Sequence, residues 1–325
     1  MKKSMIIVLF MVMVLGLSIN VMAEKAYFLA HVYDPSHPWH KGAEIAAQMI
    51  EEKTGGNITI KIFPSSQLGS EEEITEAVIH GAIPIVISGA GQVGNLFKPI
   101  YVAEMPYIFQ DIDHVIRFAN SDIAKELFDD LKEQFGVKVI GASSFGVRHI
   151  VANKPIRTPD DLKGFKLRVP EQQVCIAYGQ AMGANPTPIS YGEAYMALQQ
   201  GVADGLENPL TAIKAMKFYE VADYISLTGH VINTTFFLMN NAAFESLSKE
   251  EQAIFTESFN KAALSIANTL KEQDKELVSF FEKEGLTIVK PDVEAFKRAT
   301  ASMPAEFSDW WSKYGKDLYQ RIQNL

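Results

Sequence analysis

Cysteine is nearly missing from this chain. Cys175 is the only one, so no disulfide can form within the protein and an exported form would be held together by packing alone. Without a cysteine at the expected cleavage site described below, a lipid-anchored form is also excluded. Positive charge is scarce: 30 Lys and Arg face 39 Asp and Glu, a formal net charge of −9. Such a field opposes nucleic acid and anionic membrane as partners, and an anionic ligand would need a local basic site. The motifs of common enzyme classes are absent as well. There is no G-x-S-x-G, no P-loop and no H-E-x-x-H, which leaves an enzymatic reading without a nucleophile, a phosphate cradle or a metal set. Gly89, Gly91 and Gly94 match the spacing of a nucleotide-binding turn. The acid expected about 20 positions later falls near Asp111, in a loop, so the match is a coincidence and no cofactor is expected. No internal repeat, low-complexity tract or flexible linker is visible.

What remains is an ordinary folded chain with an unusual start. At 325 residues, 47% hydrophobic and 21% charged, it suits two domains. Lys2 and Lys3 precede an apolar run from Met5 to Ile19, and Val21-Met22-Ala23 offers small side chains to a signal peptidase. Residues 1–23 are expected to be a signal peptide cleaved after Ala23, which places the mature protein in the periplasm. Their loss removes two lysines and no acid, taking the net charge to −11.

Strand and helix signals alternate along the rest. Strands are expected over 26–32, 57–63, 84–88, 165–169, 202–207 and 286–289. Capping boxes are expected at Ser70 with Glu73, Ser190 with Glu193, and Ser248 with Glu251, the last opening the longest helix, toward Glu284. Two long β-rich stretches, 137–153 and 222–240, read as chain crossing between domains. The pattern predicts two α/β lobes with a cleft between them. The expected division is 24–147 with 234–272 for domain I, and 148–233 with 273–325 for domain II.

Gly164 to Pro209 holds the strongest candidates. Alternation puts Phe165, Leu167 and Val169 on one strand face and Lys166 and Arg168 on the other, with Pro170 ending the strand. An Arg at a strand end in an open α/β sheet can hold a carboxylate or phosphate with its fork of donors. A surface Arg in an exposed ion pair is the plainer reading. Arg148 lies near the first crossing. Asn208 precedes Pro209 at a strand-to-helix junction and serves as an N-cap, a ligand contact, or both. Tyr191 and Trp39 are candidate walls or packing residues, and Glu207 either orients Arg168 or makes a weak rim salt bridge. His31, His37 and His40 form a weak zinc set, which keeps a periplasmic zinc-dependent enzyme or zinc carrier as the alternative of another class. His80, His114, His149 and Cys175 read as structural.

The blocks T-P-D-D-L-K-G-F-K-L-R-V-P (158–170), G-A-N-P-T-P-I-S-Y-G-E-A-Y-M-A-L-Q-Q-G-V-A-D-G-L-E-N-P (183–209), K-F-Y-E-V-A-D-Y-I-S-L-T-G-H (217–230) and S-S-Q-L-G (65–69) resemble the DctP-like solute-binding proteins of TRAP, the tripartite ATP-independent periplasmic transporters. The motifs come nearest to the sialic-acid-binding subgroup. The resemblance implies a two-domain, hinged α/β fold of the periplasmic-binding-protein kind, with a long bracing helix. It implies a monomer that closes on an organic acid and delivers it to a permease of small and large membrane subunits. It assigns the carboxylate to Arg168, completes the anion site with Arg148 and Asn208, places Tyr191 against the ligand and sets His230 near ligand-bound water. Sialic-acid binders have an Asn where His31 stands and an acid where Gly89 stands. The expectation is therefore a smaller, uronate-like sugar acid whose hydroxyls meet His31, Trp39, Glu71 and Gln92. A C4-dicarboxylate, sialic acid or a sugar phosphate are the alternatives.

Overall fold

The computed structural model describes residues 25–325, and the signal-peptide reading of residues 1–23 lies outside them. The chain begins with β1 (Lys25–Ala30), α1 (Pro38–Lys53), β2 (Ile58–Phe63), α2 (Glu71–Ile79), β3 (Ile85–Gly89) and α3 (Ala90–Leu96). Next come α4 (Ile112–Ala119), α5 (Asp122–Phe135) and the long β4 (Val137–Ala152). The second lobe follows with β5 (Lys166–Val169), α6 (Gln173–Ala181), β6 (Asn185–Pro188), α7 (Ala194–Gln199), β7 (Gly205–Pro209), α8 (Leu210–Ala215) and β8 (Tyr224–Ser226). β9 (Ile232–Asn240), α9 (Asn241–Glu245), α10 (Lys249–Lys283), β10 (Thr287–Val289), α11 (Val293–Thr300), α12 (Met303–Glu306) and α13 (Leu318–Gln323) close the chain.

β4 is shared by both lobes. Residues 137–147 pair with β9, in the order β2-β1-β3-β9-β4, whereas 148–152 pair with β7 and β8. On that side the order is β10-β8-β4-β7-β5-β6. The strand bends at a register shift between Ser144 and Gly146. Gly146 has φ +119, and a Cβ there would come within 2.8 Å of Pro209, so only glycine fits where the lobes meet. The 137–153 stretch is thus the crossing that its length and glycines predict. The 222–240 stretch is broken: β8 stays in the second lobe and β9 returns to the first.

α10 braces the two lobes. Its capping box at Ser248 and Glu251 forms as predicted, and its 35 residues span about 50 Å at 1.5 Å per residue. The helix lies against α1, where a Cβ on Gly42 would overlap Ile266, and against β4, where Gly141 admits the Phe259 carbonyl. Its far end buries Leu277 and Phe281 in the second lobe's own core with Leu206, Phe218 and Ile225.

Three expectations need correction. The last turns do not belong with the second lobe: His114 Nε2 meets the Ile322 carbonyl at 2.8 Å, Arg117 Nε donates to the Leu325 carbonyl, and Trp310 packs on Tyr101. These contacts fix the chain's end to α4 and the first lobe, which sequence order alone does not reveal. Ser190 and Glu193 do not form a capping box. The Ser190 hydroxyl donates to Glu193 at 2.6 Å, while the helix starts at Ala194 with no side-chain cap. Asn208 is not an N-cap either, because β7 runs on through Pro209, the residue that precedes α8.

Asp274, in the second half of the bracing helix, is largely buried, and among the described residues its Oδ1 has no hydrogen-bond partner. Burial pushes its carboxyl up to about 6. A raised carboxyl pKa means the folded state holds a proton that the unfolded chain has lost, so stability falls as pH rises from about 4 to 6. Asp274→Asn should therefore be more stable than wild type at pH 7, on the order of 1–2 kcal/mol. Thermal melts should show that advantage disappearing near pH 4.

Candidate functional site

Arg168 sits third on β5, an interior strand between β6 and β7. It is 1% exposed, which overturns the surface ion-pair reading. Its Nε and Nη2 both donate to the Ile189 carbonyl, at 2.9 and 2.6 Å, and this holds the fork in one orientation. Nη1 is buried with no partner among the described residues. Burial lowers the guanidinium's pKa, with Glu207 opposing the shift, but an arginine keeps its charge at any physiological pH.

Arg148 follows the bend of β4 and is engaged elsewhere. Its Nε and Nη2 grip the Glu207 carboxylate from two sides, Nη2 also reaches the Glu207 carbonyl at 2.8 Å, and Nη1 donates to Asn233 Oδ1 at 2.8 Å. Glu207 is 0% exposed. Burial pushes its pKa up, but the charge of Arg148 together with the hydrogen bonds from Arg148 and His230 outweighs that and holds it at about 2. Glu207 therefore orients Arg148 and not Arg168, and the pair is a buried one, not a rim salt bridge. His230 stands behind it, Nε2 3.3 Å from Glu207 and Nδ1 2.8 Å from the Thr228 hydroxyl. Burial keeps this ring neutral, so the network assigns Nε2 as the donor to Glu207 and Nδ1 as the acceptor.

The cleft between the lobes gathers Arg148, Arg168, Tyr191, Asn208, Glu71 and Gln92 into one lining. The cavity between the lobes there has a volume of about 60 Å³. Asn208 Nδ2 and Tyr191 Oη are buried there and, like Arg168 Nη1, have no partner among the described residues. At the first-lobe side, Glu71 Oε1 accepts from the Gly89 amide at 2.8 Å, and burial raises its pKa.

Sequence reasoning missed Tyr33, Phe145, Gln172, Asn233 and Thr235, which also line the cleft. Tyr33 packs against Phe145 and His37, with ring centroids 4.9 and 5.1 Å apart. It also missed Glu104, buried behind Asn233, which accepts from the Thr234 amide and from Asn233 Nδ2. Burial pushes Glu104 up to about 8. No local pattern marks these residues, since strands far apart in sequence bring them together.

Other candidates lie outside the lining. Trp39 is 0% exposed, donates Nε1 to the Ser144 carbonyl at 3.0 Å and packs on Phe237. It is a core post and not a cleft wall. His31 lies one layer back, accepting from the Tyr33 amide through Nδ1, with Nε2 3.0 Å from His40 Nδ1. His37 caps α1 by accepting from the Trp39 amide. Burial holds His31 and His37 near 3, as neutral rings. The zinc set does not assemble: among the described residues, no group of three His, Cys, Asp or Glu is placed to hold a metal ion.

Residues 29–309 match the model of the bacterial extracellular solute-binding proteins, family 7. The chain belongs to that family. It is a TRAP-type solute-binding protein. It is 33% identical over 283 residues to the sialic acid-binding periplasmic protein of Vibrio cholerae, covering 87% of each chain. The TRAP periplasmic solute-binding protein of Actinobacillus succinogenes, solved with bound L-galactonate, superposes with a TM-score of 0.86 at 31% identity, over 92% of this chain and 98% of that one. A Sulfitobacter relative with bound β-D-galacturonate gives 0.87 at 25% identity, over 93% and 100%.

Removing one partner of the Arg148–Glu207 pair strands a buried charge. Glu207→Gln should lower stability by about 3–5 kcal/mol in urea denaturation, whereas Arg148→Met with Glu207→Leu should recover much of it. Because Glu207 is held low, its contribution is present above about pH 4.5 and is lost as pH falls toward 2.

Proposed function

We propose that this TRAP-type protein binds a uronate-like sugar acid in the cleft between its lobes, with the ligand carboxylate on Arg168. The observation that carries the reading is that three unpartnered buried donors, Arg168 Nη1, Asn208 Nδ2 and Tyr191 Oη, belong to residues lining one cleft. A buried donor without an acceptor costs on the order of 1–3 kcal/mol, more for a charged one, and a carboxylate has lone pairs for all three. The charge balance supports a single negative charge. Arg148 is neutralised by Glu207, burial shifts Glu104 and Glu71 toward their neutral forms, and Arg168 has no carboxylate at ion-pair distance among the described residues. A C4-dicarboxylate or a sugar phosphate would bring a second charge that no cleft cation answers. Glu71 and Gln92, on the opposite wall, suit hydroxyl groups. The relatives solved with L-galactonate and β-D-galacturonate support the same class.

The protein works, on this reading, as a monomeric carrier and not as an enzyme. It is released into the periplasm by cleavage after Ala23 and hands its ligand to the small and large subunits of a membrane permease. The buried histidines support no catalytic or zinc role, since their ring nitrogens serve caps and neighbours.

Calorimetry with D-galacturonate, D-glucuronate and L-galactonate tests this, with the neutral parent sugars as controls. At least one acid should bind, and neutral sugars should not. Losing a buried charged contact costs about 2–5 kcal/mol, so Arg168→Ala should weaken binding about 30-fold or more. Arg168→Lys should also lose affinity, because the planar fork is gone. Wild-type affinity in either variant would sink the assignment. A thermal-shift screen of organic acids extends the test, since ligand at 100 times Kd raises stability by about 2.7 kcal/mol.

A further inference from the structure

Arg168, Arg148 and Asn208, the deepest residues of the cleft, are buried from solvent, so a ligand can reach Arg168 only when the lobes part. Whatever holds the lobes together therefore contributes to affinity without touching ligand. The hinge strands link the lobes on one side of the cleft. On the other, one side chain of the first lobe reaches into the second. Asn95, on α3, donates from Nδ2 to the Glu171 carbonyl at 3.0 Å and accepts at Oδ1 from the Gln173 amide at 3.3 Å. Gln173 is the first residue of α6, whose own N-cap, Gln172, makes no side-chain capping bond. The first turn of a helix leaves its amides without intrahelical acceptors, and Asn is among the best side chains to supply one. Here the cap comes from the opposite lobe.

Three features fix this contact in place. The Tyr101 hydroxyl donates to Asn95 Oδ1, and Tyr101 is itself buried against Trp310 in the first lobe. Gly91, one turn before Asn95, lets the lobes approach: a Cβ there would fall 1.9 Å from Gln172 Oε1. Third, only three residues separate the end of β5 from the start of α6, so its amino end is tied through Pro170 to the strand that carries Arg168.

We propose that Asn95 is a positioning residue for ligand capture, capping α6 across the cleft and holding the closed form. The proposal rests on the reading of the cleft as the ligand site. Opening breaks both cross-lobe bonds of Asn95 and leaves the α6 amide uncapped, so the residue acts chiefly on ligand release.

The test measures Kd and the release rate with the tightest-binding sugar acid of the three above as probe, alongside the small-angle scattering radius of ligand-free protein. Asn95→Ala should weaken binding about tenfold, nearly all of it through faster release, with the thermal midpoint of the ligand-free protein close to wild type. Asn95→Asp keeps the acceptor for Gln173 and loses the donor to Glu171, and should fall between. Gly91→Ala, which leaves Asn95 intact but obstructs approach, should reproduce the fast release, and it serves if Asn95→Ala folds poorly. Release at the wild-type rate in Asn95→Ala or in Gly91→Ala would overturn the proposal. Should none of the acids bind the wild type, the ligand reading fails, while the radius still tests the latch: Asn95→Ala should be more expanded than wild type, and equal radii would overturn it.

Discussion

The cleft's chemistry depends on one ion pair that is not itself available to a ligand. Glu207 is held ionised by Arg148, and the pair is completed by Asn233 on one side and His230 on the other. That arrangement cancels one of two neighbouring guanidinium charges inside a medium where an uncancelled charge is costly. It leaves Arg168 as the cleft's unmatched cation. Had Glu207 reached Arg168 instead, the fork would be satisfied by the protein and a carboxylate would gain little by binding. The choice is made by strand register: β7 lies between β4 and β5, and Glu207 stands opposite Ile150, two residues from Arg148 on the same strand face. The Ile189 carbonyl then takes two of Arg168's donors, which fixes orientation without adding negative charge.

This register exists because β4 does not stop at the lobe boundary. A strand that pairs with β9 and then, past a glycine bend, with β7 sets Arg148 in rigid relation to Asn233 on one side and Glu207 on the other. The hinge and the site are thus parts of one backbone. The bend at Gly146 lies close to the buried pair, and the bracing helix α10 packs its two ends into different cores. A site built at such a junction can be preorganised in its charged part and still open elsewhere.

Much of this was legible in the sequence where the determining contacts are local. The alternation around Arg168, the capping boxes at Ser70 and Ser248, and the glycine-bearing crossing at 137–153 all depend on residues within a few positions of each other, and the structure has them as read. The failures share a different cause. Asn208 has the sequence of an N-cap, yet pairing of β7 with β4 and β5 extends the strand through it, so tertiary pairing overrides a local preference. Trp39 reads in sequence as either a cleft wall or a packing residue, and only its contact with Phe237, from the returning strand, decides for packing. Tyr33, Phe145 and Glu104 carry no local signature, because their roles come from β9 and the neighbouring strands folding over them. The chain's final turns return to α4 for the same reason: a contact more than 200 residues away leaves no mark on spacing.

These constraints also divide the work of recognition. A carboxylate on Arg168 meets a donor set that the second lobe supplies alone, since Arg168, Tyr191 and Asn208 all lie in it. Glu71, Gln92 and Tyr33 belong to the first lobe and line the facing wall. On the proposed reading, the second lobe takes a small carboxylate by charge, while the first lobe discriminates by hydroxyl pattern as the gap shuts. Such an order suits a carrier in an acidic protein, where the overall field repels anions and a local cation must make the first capture. Discrimination among sugar acids would then rest on which hydroxyl arrangement lets the lobes meet without stranding Glu71 or Gln92.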